Sequence, residues 1–239
     1  MLITSPENEK IKNLVKLQQK KYRDLTNTYL VEGEHLVEEA HKANKLLEVF
    51  SLDERPNSTQ VSLEVMKRLS SLDTPPNIIG ICKKEDNKEI IGNKIVLLDE
   101  IQDPGNLGTI IRSSLAFNVD TIILSNNSVD LYNPKVIRAT QGIIFHINII
   151  SMDTKEAINK LKERNIKIYG TSVENGTIIK ELSSVDKNNY CLIMGNEGQG
   201  LSREILDLCD KRLYIPMNDK VESLNVGVAC SIILYELNR

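Results

Sequence analysis

Apolar positions in the first part of the chain recur at two spacings, and each predicts a different element. Ile11, Leu14, Val15 and Leu17 follow a helical period behind Ser5, a suitable N-cap, and Pro6, a residue suited to the first helical position. A helix is therefore predicted over 6–17. The run at 29–31 predicts a strand, 34–43 a helix, 46–52 a strand, 63–69 a helix and 78–82 a strand, together a small α/β unit. The polar stretch 83–93 then interrupts the pattern before the apolar run Ile95, Val96, Leu97 and Leu98. A boundary falls there, with one domain over 1–91 and a second over 92–239.

In the second domain, strand-like segments at 95–98, 121–124, 145–149, 167–170, 190–194 and 212–215 alternate with helix-like ones at 106–117, 134–140, 154–164, 202–208 and 224–237. Such alternation predicts an α/β fold with a mostly parallel sheet, and sheets of that kind bind ligand beyond the carboxyl ends of their strands. The longest strongly apolar stretch, near 226–237, is shorter than the about 20 residues of a bilayer span. The first ten residues lack the basic lead and apolar run of a signal peptide, so a cytoplasmic protein without a membrane partner is expected.

Composition narrows the chemistry. Hydrophobic residues at 41% and charged residues at 26% exclude disordered and collagenous classes. Cys82, Cys191, Cys209 and Cys230 form no CxxC pair and are expected to be buried thiols, and His35, His41 and His146 have no zinc-site spacing, so no metal is assigned. The net charge of −3 gives no support to a nucleic-acid partner, yet Lys10, Lys12, Lys16, Lys20, Lys21 and Arg23 crowd one stretch in which Glu9 and Asp24 are the acids. That stretch reads either as a solvated helix face or as a phosphate-binding arm.

Three polar clusters follow predicted strands. Residues 99–112 pass from a strand through Pro104 and Gly105 into a helix start, with Asn106 at its opening and Arg112 six residues on. Free N–H groups at a helix start suit an anion. In the second cluster Met194 closes a strand, and Gly195, Gly198 and Gly200 allow close backbone approach around Glu197 before Ser202 caps a helix. The order differs from the GxGxxG of a dinucleotide loop and comes late in the chain, against a nicotinamide-dependent oxidoreductase. The third cluster runs from Ile215 and Met217 through Ser223, Leu224 and Asn225 into an apolar helix containing Gly227.

Taken in this order, the clusters closely resemble the motifs of the SpoU (TrmH-type) RNA ribose 2′-O-methyltransferases of the SPOUT superfamily, and residues 133–142 resemble a further segment of that family. Residues 29–40 resemble its ribosomal-protein-like RNA substrate-binding domain. The resemblance implies a SPOUT fold with a deep trefoil knot behind a small α/β domain, a homodimer, and S-adenosylmethionine held at Gly195, Ile215 and Leu224, with Met194, Met217 and Ser223 as neighbours. It implies RNA as the partner, ribosomal RNA ahead of transfer RNA, with the basic arm on its phosphates.

By the same resemblance Arg112 is the leading catalytic candidate, joined by Asn106, Glu197, Ser223 and Asn225. A guanidinium accepts protons poorly but can hold a phosphate or an alkoxide, so its role as base or positioning charge stays open. One departure is Gly227, where the family commonly has serine. A noncatalytic RNA-binding or ribosome-assembly factor on the same scaffold is the alternative, against which the retained polar set weighs.

Overall fold

The computed structural model describes residues 2–85, 89–173, 176–182 and 186–239. The chain forms two compact units, each built from two stretches: Met1–Asp86 with Asp130–His146, and Asn87–Val129 with Ile147–Arg239.

The first unit runs β1 (Leu2–Ile3), α1 (Glu9–Val15), α2 (Lys20–Thr26), β2 (Thr28–Glu32), α3 (Glu34–Lys42), β3 (Leu46–Ser51), β4 (Thr59–Val61), α4 (Leu63–Leu69) and β5 (Ile78–Lys83). Its sheet has the order β1-β4-β3-β5-β2, with β5 antiparallel to both neighbours and β4 parallel to both of its own. Ile11, Leu30, Phe50, Val65, Leu69 and Ile79 meet in its core. The helix predicted from Pro6 starts later, because Asn8 is the cap: its Oδ1 accepts from the N–H groups of Lys10 at 3.0 Å and Ile11 at 3.4 Å. Ser5 instead turns its hydroxyl to the Glu7 N–H at 3.2 Å. A 3₁₀ turn at Lys16–Gln18 and an extended Gln19 then split the basic stretch into two helices. The hydrophobic pattern does not reveal α2, because its one buried residue is Arg23. Of the polar stretch predicted at 83–93, residues 86–88 lie outside the described residues.

The second stretch continues with β6 (Lys94–Leu98), α5 (Pro104–Ala116) and β7 (Thr121–Leu124). Next comes α6 (Pro134–Thr140), which belongs to the first unit, and then β8 (Asn148–Ser151), α7 (Thr154–Glu163), β9 (Lys167–Ser172), β10 (Thr177–Ile178), β11 (Tyr190–Met194), α8 (Arg203–Asp207), β12 (Lys211–Tyr214) and α9 (Val226–Leu237). The strands order as β10-β12-β9-β11-β6-β7-β8, and every pairing is parallel. All five residues of β11 are buried, as a strand covered on both faces requires. The strand predicted at 145–149 begins only at Asn148: Gln141 and Gly142, both left-handed, lead into a 3₁₀ turn at Ile143–Phe145.

Residues 130–146 are fastened to the first unit by charge and ring contacts. Arg23, 3% exposed, donates to the carbonyls of Leu17 at 2.8 Å and Gln18 at 2.9 Å and pairs with Asp130. Glu32, also buried in β2, accepts from the hydroxyls of Ser70 and Ser71, each at 2.6 Å, and lies 3.6 Å from the Arg138 guanidinium. The rings of Tyr29 and Tyr132 sit 4.6 Å apart, and His146 meets Glu39 at 2.8 Å. Each charge buried here has a partner, as the cost of desolvation demands.

The thiols of Cys82, Cys191 and Cys230 are buried and Cys209 is partly so. Burial pushes Cys82 up to about 12 and Cys209 to about 11, which leaves both unreactive at neutral pH. No helix among the described residues is long and apolar enough to cross a membrane.

Candidate active site

The three polar clusters come together within the second unit, at the carboxyl ends of its parallel strands. After β6 the chain turns through Glu100, a non-glycine residue at φ 60°, fixed by the Ser125 hydroxyl, which accepts from its N–H at 2.8 Å, and by the Asn196 amide, which donates to its carbonyl at 3.0 Å. Asp103 then caps α5, its Oδ1 accepting from the Asn106 N–H at 2.8 Å, with Pro104 at the first helical position. The helix thus starts two residues before the predicted Asn106.

Glu197 sits at the centre of this arrangement. Its carboxylate accepts from the Gln102 N–H at 3.1 Å, the Asp103 N–H at 2.9 Å and the Asn106 amide at 3.1 Å. The Asn106 carbonyl oxygen accepts in turn from the Asn225 amide at 2.8 Å, and Asn225 Oδ1 caps α9 through the N–H groups of Gly227 at 3.0 Å and Val228 at 3.2 Å. One hydrogen-bonded chain therefore joins all three clusters and fixes which way each amide points. Burial alone would raise the Glu197 carboxyl, but the Asp103 N–H, the Asn106 amide and the Gln102 N–H together hold it below the usual 4.5. Held in this way it acts as an acceptor and an anchor.

A depressed carboxyl adds stability that is complete above its unfolded value and is lost as pH falls through the lower folded one. The protection factors of the Gln102 and Asp103 amides, which correct for the intrinsic slowing of exchange in acid, are therefore expected to hold down to about pH 4.5 and to fall below it. In Glu197→Gln both amides should exchange faster at neutral pH; equal protection in the two proteins would count against the anchor.

Beside this chain lies a cavity of about 330 Å³, within the range of small-molecule sites. Met194, Gly195, Ile215, Met217, Ser223 and Leu224 all line it, and Glu197 stands at the same wall. Gly195 has no alternative: a Cβ there would lie 2.4 Å from the Gly200 carbonyl carbon and 2.5 Å from the Leu201 nitrogen. The loop folds back on itself, with the Gly200 N–H donating to the Asn196 carbonyl at 2.9 Å and Asn196 Oδ1 accepting from the Gly198 N–H at 2.9 Å. Thr171, Ser172 and Val173, at the end of β9, also line the cavity. The sequence reading missed them because they form no motif; the position of their strand beside β11 is the signal.

Asn106, Asn225 and Arg112 do not line the cavity. The two asparagines frame it through Glu197 and the start of α9. Arg112 lies on the exposed side of α5 and makes no hydrogen bond or ion pair among the described residues. Gly227 has a packing role: α5 and α9 run together with Thr109 against Gly227, Ser113 bonded to Ser231 at 2.7 Å and Phe117 against Tyr235. A Cβ at Gly227 would stand 3.1 Å from Thr109 Cγ2, so its absence lets the helices close up.

A parallel sheet with a glycine-lined cavity at its carboxyl ends, walled by these three clusters, defines a class that comparison with known proteins also returns. Residues 93–235 match the SpoU rRNA methylase family and residues 8–80 match the MRM3-like substrate binding domain. The chain belongs to the SpoU rRNA methylase family. It is 36% identical to the 23S rRNA (guanosine(2553)-2′-O)-methyltransferase RlmP of Bacillus subtilis (strain 168), over 98% of each chain. Among solved structures, the AdoMet-bound rRNA methyltransferase from Sinorhizobium meliloti superposes with a TM-score of 0.88 at 28% identity, covering 99% of this chain and 97% of that one. An RNA 2′-O ribose methyltransferase gives 0.83 at 27% identity, covering 99% and 98%.

Proposed function

We propose that this protein transfers the methyl group of S-adenosylmethionine to a ribose 2′-hydroxyl of ribosomal RNA, at a guanosine of 23S rRNA as the name of the Bacillus relative states. The observation that carries this reading is the hydrogen-bonded chain Asn225–Asn106–Glu197, which binds three separate loops around one cavity. A scaffold with only RNA to hold has no need of it.

The cavity fits the cofactor. Apolar walls from Met194, Ile215 and Leu224 suit an adenine ring, and the close turn at Gly195 presents backbone groups in place of a side chain. When bound, S-adenosylmethionine supplies a sulfonium methyl open to attack. The chain's own residues align the incoming hydroxyl and accommodate its charge. Arg112 binds the neighbouring phosphate and favours the alkoxide electrostatically, and Ser223, at the cavity wall, contacts the ribose or the cofactor. Asn106, Glu197 and Asn225 are positioning residues that hold the loop before α5 against the cavity.

The same reading includes a trefoil knot formed by the second and third clusters, work in the cytoplasm where ribosomes are built, and a homodimer. The dimer is supported by α9, where Val228, Ile232 and Tyr235 recur at helical spacing and are 46%, 37% and 49% exposed. Since α5 packs along α9, a seam through that stripe lies one helix away from Arg112.

The test is methyl transfer from labelled S-adenosylmethionine to protein-free 23S rRNA and to transfer RNA, with alkali-resistant linkages mapped. Label is expected at one 2′-oxygen of 23S rRNA, and light scattering should return twice the chain's mass. Label on transfer RNA alone, or on a base, would overturn the substrate assignment.

A further inference from the structure

The basic stretch of the first unit divides in two. Lys10 pairs with Glu48 at 2.7 Å and Lys12 with Glu7 at 2.6 Å on the surface, and Arg23 is buried on Asp130, so each of these three cations already has a carboxylate. Lys16, Lys20 and Lys21 are exposed and have no carboxylate within ion-pair distance among the described residues. The Nζ atoms of Lys16 and Lys21 lie 5.7 and 5.9 Å from the centroid of the Tyr22 ring. One turn further along α2, Leu25 is 76% exposed, the highest value among the large hydrophobic side chains described.

Lys21 and Leu25 are four residues apart and Tyr22 and Leu25 three, so ammonium, aromatic ring and aliphatic side chain share one face of α2. The opposite side is held down by Arg23, with its two carbonyl acceptors and Asp130. A short helix anchored by its one buried residue thus presents a fixed outer face. Lys16 Nζ donates to Asn13 Oδ1 at 2.9 Å, but positive charge without a carboxylate suits an anionic partner, and a half-buried ring beside an exposed aliphatic group suits a flat, apolar one. Single-stranded RNA supplies both: phosphates for the lysines and an unstacked base for the ring.

We infer that Lys16, Lys20, Lys21, Tyr22 and Leu25 form a stacking platform for an unpaired nucleotide of the RNA substrate. The inference rests on the RNA reading above and narrows it, since it removes the buried Arg23 from the phosphate-binding arm, sets Lys16, Lys20 and Lys21 ahead of the paired Lys10 and Lys12, and adds a base contact that net charge alone does not show. Tyr22 gives affinity without base identity, because every base has a face on which to stack.

The full-length protein is tested against a labelled single-stranded oligouridylate, an RNA duplex and protein-free 23S rRNA. Tyr22→Ala is expected to weaken oligouridylate binding by about tenfold or more, with a smaller loss in Leu25→Gln and near-normal binding in Tyr22→Phe. Replacing Lys16, Lys20 and Lys21 with glutamine should flatten the dependence of log affinity on log salt by about 2, at roughly 0.7 per single-strand phosphate. In methyl transfer the loss in Tyr22→Ala should fall on the KM for RNA rather than on kcat, with an unchanged melting temperature. Wild-type binding and KM in a folded Tyr22→Ala protein, or an equal loss in Tyr22→Phe, would overturn the platform while the methyltransferase reading stands. A loss seen on ribosomal subunits but not on protein-free RNA would assign the surface to a protein partner and also overturn it. A wild-type protein that neither binds nor methylates RNA would remove both.

Discussion

In Arg112→Ala, methyl transfer to ribosomal RNA is expected to fall by about 100- to 1,000-fold, the effect of deleting one preorganised donor at a developing oxyanion. The basis is the state of the side chain: on the exposed side of α5, with no partner among the described residues, the guanidinium has no structural task in the chain. Loss of its charge should therefore leave folding and cofactor affinity unchanged and lower kcat. Arg112→Lys keeps the charge but loses the planar fork, so partial recovery is expected if charge alone counts and none if bidentate phosphate contact counts. Single-turnover methylation with both variants, beside calorimetric cofactor binding, reads all of these. A kcat within threefold of wild type in Arg112→Ala would remove the residue from the chemistry.

The second large effect concerns stability. Arg23→Met is expected to destabilise the first unit by about 3–5 kcal/mol, because it leaves Asp130 largely buried without its cation. Two backbone carbonyls, of Leu17 and Gln18, also lose their donor. Replacing both members, Arg23→Met with Asp130→Leu, should recover much of the loss, as apolar groups of similar volume carry no desolvation cost. The chain has no tryptophan, so hydrogen exchange in β2 and β5 is the suitable probe, with urea unfolding giving the magnitude. A loss below about 1 kcal/mol would mean that the pair behaves as an exposed one.

How much of this is legible from the sequence depends on the range of the interaction. Three parallel strands of the second unit, β6, β7 and β11, could be read almost to the residue, because they are short apolar stretches bounded by turns, whereas β8 starts later than predicted and β10 was not read. The residues assigned to the cofactor from the second and third clusters, Met194, Gly195, Ile215, Met217, Ser223 and Leu224, come together at one cavity. What could not be read was carried by polar contacts between distant positions. Nothing near Arg23 in the sequence indicates Asp130, and nothing near Glu32 indicates Arg138. The helix α2 was missed for the same reason, since its anchor is an arginine where the period of apolar side chains is the usual signal. Gly227 was noticed as a missing hydroxyl, but its meaning lies in Thr109 of another helix.

The return of residues 130–146 to the first unit sets an order of events on the ribosome. Domains made early in synthesis can fold while the rest of the chain is still being added. Here the first 86 residues contain Arg23 and Glu32 but not Asp130 and Arg138, which are made dozens of residues later. Until those residues emerge, Arg23 and Glu32 lack the charged partners they have in the finished fold, although Ser70 and Ser71 already bond Glu32. The nascent first unit is therefore expected to reach its full stability only after β6, α5 and β7 have been translated and the stretch 130–146 that completes it has left the exit tunnel.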